Sequence, residues 1–376
     1  MTKYMTNYSR GCFDHWTASH AISELVSNYL DSDGEQEHEF TEDTITLTNK
    51  GIEVSNKMLM SGMSDKRGDD TKRGTFGIGS IQCMVVLCDL GIDMKILNNG
   101  KQWVPTFEYN EQFDADIMVI NETVINSDGN FSVIVEGLDQ LVIEEVVTRC
   151  SVFQDREVLY STEVGDIIST IAGTPEIFVG DMLVMQTTDF KYSYNFKPNV
   201  VPLTQDRNVM DLWELRKLTA RLISMIDDEV FVKEAIRANK YDTRLVADSW
   251  YTSTPKHAAV EVMGQEFVDD NEGATVTSSY SDHQEAVKLG NKSVYIENEV
   301  EVTSIKQSDV YKESIADIEI IEVPTVQEVM EAMKVRIMDL LEENLCQSEI
   351  DSLEEILDPI ITASRCWSGD VEDLPF

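Results

Sequence analysis

The sequence predicts an α+β protein, and three observations carry that reading. A helical apolar period runs over residues 17–30, strand-like segments separated by turn signals fill about 94–147, and a second helical stretch, Trp213–Ala238, follows further strands. Several antiparallel strands thus come after two or three helices. With 376 residues the chain has room for two or three domains at roughly 100–200 residues each.

Taken in order, Ala18, Ala21, Ile22, Leu25, Val26, Tyr29 and Leu30 recur at i, i+3, i+4 and i+7, with Thr17 placed to cap the helix. The acidic, glycine-containing stretch DSDGEQEHEFTED reads as a connection, and Thr44–Thr48 then alternates like a strand before the turn residues Asn49-Lys50-Gly51. Residues 61–79 are polar and glycine-rich and read as a long loop, after which the apolar run Ile81–Leu90 reads as a buried helix. MKIL, QWVPTFEY, ADIMVINETVI and FSVIVEGL follow as strands, with NNG and SDG as turns between them. Strands are expected again over Glu176–Asn195, ahead of Pro198 and Pro202. Beyond the helix Trp213–Ala238 lie a polar loop, DDNEGATVTSSYSD, the strands SVYIEN and IEIIEV, and two acidic amphipathic helices between Val326 and Ile361. The expected division is 1–147, 148–240 and 241–376.

Composition bounds the partners. The chain carries 69 acidic against 30 basic residues, a net charge of −39, which disfavours attraction to phosphate backbones and to anionic membranes. Direct nucleic-acid binding is therefore a poor expectation. A protein partner fits better, and an acidic face that imitates nucleic acid is a rival reading. No stretch approaches the roughly 18 apolar residues of a membrane span, and the polar start MTKYMTNYSRGCFDHW is unlike a secretory leader, so no membrane role and a cytoplasmic site are expected. The cysteines at 12, 83, 88, 150, 346 and 366 form no CxxC pair and are expected to be reduced packing residues. The five histidines lack metal-ligand spacing, and no GxSxG elbow is present.

The chemistry-bearing pattern lies in the first third. Glu24 and Asn28 are four residues apart and share one face of the first helix, with Asp31 one turn further on. A carboxylate and an amide so placed can hold a water and a cation, although a lone ExxxN is most simply a solvated face. Downstream, Gly74-Thr75-Phe76-Gly77-Ile78-Gly79 opens the apolar helix, where glycines let backbone N–H groups approach phosphates at the positive end of the helix dipole. No GxxxxGK[ST] occurs, and Gln82 stands where the dinucleotide pattern requires glycine, so the P-loop and Rossmann readings drop out.

In that order, HAISELVSNYLDS, ITLTNKGIEV and KRGTFGIGSIQC resemble the three nucleotide-binding boxes of the GHKL, or Bergerat-fold, ATPases, the family of gyrase B, MutL, the ninety-kilodalton heat-shock chaperones and the MORC proteins. The resemblance implies an α/β sandwich, a mixed antiparallel sheet with helices on one face, over 1–147. A transducer-like domain would follow over 148–240, with a C-terminal α/β region of unassigned role after it. It implies ATP and Mg2+ as cofactors, Glu24 as the residue that positions or deprotonates the attacking water, and Asn28 as the magnesium ligand. Asn49, Gly51, Lys72, Gly74, Phe76, Gly77, Ile78, Gly79 and Asn130 would line the nucleotide, with Lys66, Lys72 and Arg73 in the lid. Asn199–Asn208 is similar to the segment with which the chaperones and some phage-encoded relatives present a cation to the γ-phosphate. Arg207 is the implied sensor and Lys197 a weaker one. Family members often dimerise through this domain, so a homodimer is expected. Two departures stand out: Asn49 replaces the aspartate that accepts the adenine amino proton, and Glu53 replaces a glycine. Gly129-Asn130 stands where the family has Gly-Thr. The resemblance covers roughly 10–215 and leaves the last 160 residues outside.

Overall fold

The computed structural model describes residues 2–59, 79–126, 129–171, 173–198, 200–203, 211–247, 256–316, 326–341, 352–353, 355–357 and 359. Its first elements are β1 (Thr2–Ser9), α1 (Ala18–Leu30), β2 (Glu35–Phe40), β3 (Thr44–Lys50), α2 (Gly79–Asp89), β4 (Asp93–Asn98), β5 (Lys101–Asn110), β6 (Ala115–Val124), β7 (Phe131–Glu136) and α3 (Gln140–Thr148). The strands form one antiparallel sheet in the order β1-β6-β5-β4-β7-β3-β2.

Period-two alternation decides which side chains meet the helices. On β3, Ile45, Leu47 and Asn49 are buried while Thr44, Thr46, Thr48 and Lys50 remain half-exposed. Met94, Ile96 and Asn98 do the same on β4. Ala21, Ile22, Leu25 and Val26 of α1, the apolar residues of α2, and Ile143 and Val146 of α3 close over this face in one core. As expected, Thr17 caps α1, its hydroxyl accepting from His20 N at 3.3 Å. Trp103 lies fully buried in the same core, with its ring N–H donating to Glu122 at 2.9 Å.

A second sheet follows, built of β8 (Val158–Ser161), β9 (Gly165–Ile168), β10 (Glu176–Val179), β11 (Met182–Gln186) and β12 (Ser193–Phe196) in the order β11-β10-β12-β9-β8. Only the β10–β12 pairing is parallel. Arg156 and Glu176 form an ion pair beneath it, with Gln186 donating to the other Glu176 oxygen at 2.8 Å. The helices α4 (Leu212–Ser224) and α5 (Glu229–Ala238) come next. Asp242, fully buried, ties this region together by accepting Tyr194 OH at 2.7 Å and Lys191 N at 2.9 Å.

Both sheets belong to one compact unit, Met1–Val262; the other is Met263–Phe376. The division falls within α6 (Lys256–Asp270), and the second unit contains a small parallel β-α-β of β13 (Thr275–Thr277), α7 (Tyr280–Lys288) and β14 (Ser293–Tyr295). Helices α8 (Glu299–Gln307), α9 (Asp309–Ile315) and α10 (Val326–Leu341) complete the described residues of this unit with regular structure of any length. Among the described residues no helix is long and apolar enough to cross a membrane.

Four elements depart from the expectations. EQEHEF, read as part of a connection, is the edge strand β2, paired residue for residue with β3. The text up to Val147, read as strands throughout, ends in α3, which Asp139 caps by accepting Leu141 N. The stretch Trp213–Ala238 is two helices, because Asp228 accepts Phe231 N and starts a new one. The loop DDNEGATVTSSYSD contains β13, and Ser279 within it caps α7. IEIIEV lies outside the described residues.

Candidate functional site

The candidate side chains gather where α1 meets the start of α2. Glu24 and Asn28 lie on α1 beside its buried stripe and are half-exposed. Gly79, the first residue of α2, comes so near that a Cβ built on it would stand 3.1 Å from Glu24 Oε2 and 3.9 Å from Asn28 Nδ2. A side chain there would crowd the carboxylate, which would have to give by a few tenths of an ångström, so glycine leaves Glu24 in its present position. The neighbouring Ser80 accepts a hydrogen bond on Oγ from Asn28 Nδ2 at 3.3 Å, across 52 residues of sequence. The contact continues into the core, where Cys83 Sγ donates to Ala21 O at 3.0 Å. Burial first, and Glu24 second, push that thiol well above its ordinary range.

The end of the sheet supplies a second polar group. β3, β7 and β4 place Asn49, Phe131 and Asn98 side by side in register, and both asparagines are almost fully buried. Asn49 Nδ2 donates to Tyr29 O at 3.0 Å, and Gln36 Nε2 donates to the same carbonyl at 3.1 Å. The residue after Asn28 is therefore anchored to β3, and the carbonyls of Tyr29 and Leu30 at the end of α1 receive side-chain donors, with Ser32 N also donating to Tyr29 O at 3.3 Å. Asn98 receives Val54 N at 2.9 Å and donates to Val54 O at 2.7 Å, the pairing a neighbouring strand would make. Asn130 Oδ1 accepts Gly51 N at 3.1 Å, and Gly51 sits at φ +69°, a backbone conformation that suits glycine. Asn99 Nδ2 reaches Glu53 Oε2 at 2.9 Å. The loop leaving β3 is thus held at three points by asparagines from β4 and from the β4–β5 and β6–β7 turns.

Of the residues singled out from the sequence, the fold brings Glu24, Asn28 and Gly79 together and attaches Asn49 to the end of α1. Gly51 and Asn130 meet each other on the loop that leaves β3. Asp31 is buried at the C-cap of α1, and Lys197 is exposed. Lys66, Lys72, Arg73, Gly74, Phe76, Gly77, Ile78 and Arg207 lie outside the described residues. Ser80, Asn98 and Gln36 were not anticipated. Asn98-Asn99-Gly100 had been read only as a turn, and Ser80 carries no local signal because its partner is on another helix.

The donor set suits a hard cation. Among the described residues no three His, Cys, Asp or Glu side chains converge, so there is no all-protein cage. Magnesium needs none: it keeps several waters and takes one or two protein oxygens beside those of substrate phosphates. Asn28, with Glu24 one turn away, meets that requirement.

Comparison with known proteins adds little to this geometry. Residues 142–228 match the family model described as the Mycoplasma pneumoniae MPN635 N-terminal domain, a segment that runs from within α3 through α4 to the residue before α5 and leaves Glu24, Asn28 and Gly79 outside it. No curated protein matches the chain. Among solved structures, the ATPase region of Saccharomyces cerevisiae topoisomerase II is similar at 11% identity and a TM-score of 0.32, over 50% of this chain and 76% of that one. The same region bound to ICRF-187 (dexrazoxane) gives 11% identity and a TM-score of 0.30, with the same coverage. TM-scores this low carry no assignment, and function has to be argued from the meeting of α1 with α2.

Proposed function

We propose that the chain binds ATP with magnesium between α1, the start of α2 and the inner end of the sheet, and that it hydrolyses the nucleotide in the manner of the GHKL ATPases it resembles. The observation that supports this most is the convergence of Glu24 and Asn28 on the start of α2, where Gly79 leaves the carboxylate room that a side chain would crowd and Ser80 meets the amide. Glu24 holds and deprotonates the attacking water. Asn28 supplies a carbonyl oxygen to the cation, and backbone N–H groups where α2 begins take the phosphates. Magnesium, when bound, neutralises phosphate charge. Asn49 has its N–H2 engaged on Tyr29 O, which favours Oδ1 as the end offered to a base and so supports a 6-amino purine over a 6-oxo one.

Arg207 is carried forward as the cation for the transition state, and lid closure is expected to favour homodimerisation and capture of a protein partner. The net charge of −39 favours a second reading, an acidic protein that occupies a DNA-binding enzyme. Phosphate release from ATP and from GTP separates the two. Glu24→Ala is expected to retain ATP binding while turnover falls roughly 10²–10⁴-fold; wild-type turnover in that variant removes the catalytic role. Absence of both binding and turnover in the wild type, with tight binding to a DNA-binding enzyme, favours the second reading.

A further inference from the structure

An asparagine side chain ends in one oxygen and one nitrogen on a planar fork, and only the oxygen can ligate a cation. Rotation of the fork by half a turn exchanges the two. An asparagine that serves a metal is therefore helped by a partner that engages its nitrogen while the oxygen faces the cation. In this chain the partner is visible: Asn28 Nδ2 donates to Ser80 Oγ at 3.3 Å, and Ser80 stands on α2 next to Gly79, which faces Glu24 and Asn28.

With the nitrogen held by α2, Oδ1 is turned to the opposite side of the fork. We infer that Ser80 is a positioning residue for Asn28: its hydroxyl accepts from the amide nitrogen and supports the fork in the orientation that presents the carbonyl oxygen to a divalent cation. The inference rests on the nucleotide reading above. It also explains why the two boxes must meet at this point, since α2 then contributes to the cation site through a hydrogen bond to a ligand on α1. Loss of such an outer partner typically weakens metal affinity roughly 10–100-fold.

The test uses the full chain and its Ser80→Ala and Ser80→Thr variants, with a nonhydrolysable ATP analogue titrated calorimetrically over a range of free magnesium and again in EDTA. Ser80→Ala is expected to need about tenfold or more magnesium for half-maximal analogue binding. Its thermal midpoint and its behaviour in EDTA should match the wild type, and Ser80→Thr, which keeps the hydroxyl, should restore the magnesium requirement. An unchanged magnesium requirement in Ser80→Ala, beside a magnesium-dependent wild type, overturns the role of Ser80 and leaves the nucleotide reading standing. An equal loss of binding with and without magnesium overturns it too, by showing a general packing defect. If the wild type binds no analogue at any magnesium concentration, the nucleotide reading fails and this inference with it.

Discussion

A Cβ on Gly79 would stand 3.1 Å from Glu24 Oε2, so the first residue of α2 and the carboxylate on α1 compete for the same space. Glu24 Oε2 is the mobile end of a side chain, which can shift by a few tenths of an ångström. Gly79→Ala is therefore expected to fold with unchanged or slightly higher stability, because alanine is the better helix residue by up to about 1 kcal/mol. Its turnover should fall through the displaced carboxylate. Urea midpoints and phosphate release measured side by side test this; equal loss of both places Gly79 in packing alone.

Asn49 donates to the carbonyl of Tyr29 while almost fully buried. An aspartate cannot donate, so Asn49→Asp sets an acceptor against an acceptor at the end of α1. A buried group left without its partner costs about 1–3 kcal/mol, and the urea midpoint should drop accordingly. An unchanged midpoint would mean that Gln36 and the Ser32 N–H, which also donate to that carbonyl, satisfy it without Asn49.

Arg156 and Glu176 are paired with about 4% and 5% of their side chains exposed. Removing one partner of a buried pair typically costs about 3–5 kcal/mol, whereas replacing both with apolar residues is often near neutral. Arg156→Met should be strongly destabilising, and adding Glu176→Leu should recover much of the loss. Failure of the double variant to recover would show that Gln154, which accepts from Arg156 Nε at 2.9 Å, and Gln186, which donates to Glu176, depend on the charges.

Glu122 accepts from Trp103 Nε1 at 2.9 Å and from Tyr4 OH at 3.1 Å, and lies 3.6 Å from Lys101 Nζ. The Trp103 hydrogen bond, with help from Tyr4 and Lys101, outweighs desolvation and holds this carboxyl below its ordinary 4.5. Near that pH the folded chain binds fewer protons here than the unfolded chain. The stabilisation is thus in place above the ordinary value and is lost as pH falls through the lowered one. Wild type should exceed Glu122→Gln in stability at neutral pH, and the gap should close as pH drops below about 4.5. A gap independent of pH contradicts the charged hydrogen bonds.

How much was legible depended on where each signal lay. The cap at Thr17, the stripe of α1, the alternation of β3 and the apolar run of α2 are local, and all four appear in the fold. The ExxxN face was visible as well, but its meaning came from Gly79 and Ser80, more than fifty residues away in a chain. β2 could not be seen: EQEHEF is exposed along almost its whole length and is a strand because β3 pairs with it. In α3 the branched residues of QLVIEEVVT favour a strand locally, and the Asp139 cap with burial of Ile143 and Val146 overrides them. The break between α4 and α5 hid because both halves are amphipathic, and only the cap at Asp228 marks it.

The central claim is that α1 and α2 together form a magnesium-dependent nucleotide site, and calorimetric titration of the full chain with a nonhydrolysable ATP analogue tests it most directly. With magnesium present the wild type is expected to bind one analogue per chain, and Asn28→Ala, folded to the same thermal midpoint, is expected to lose the magnesium-dependent part of that affinity. Equal binding by wild type and Asn28→Ala, or no binding by the wild type in magnesium, would contradict it.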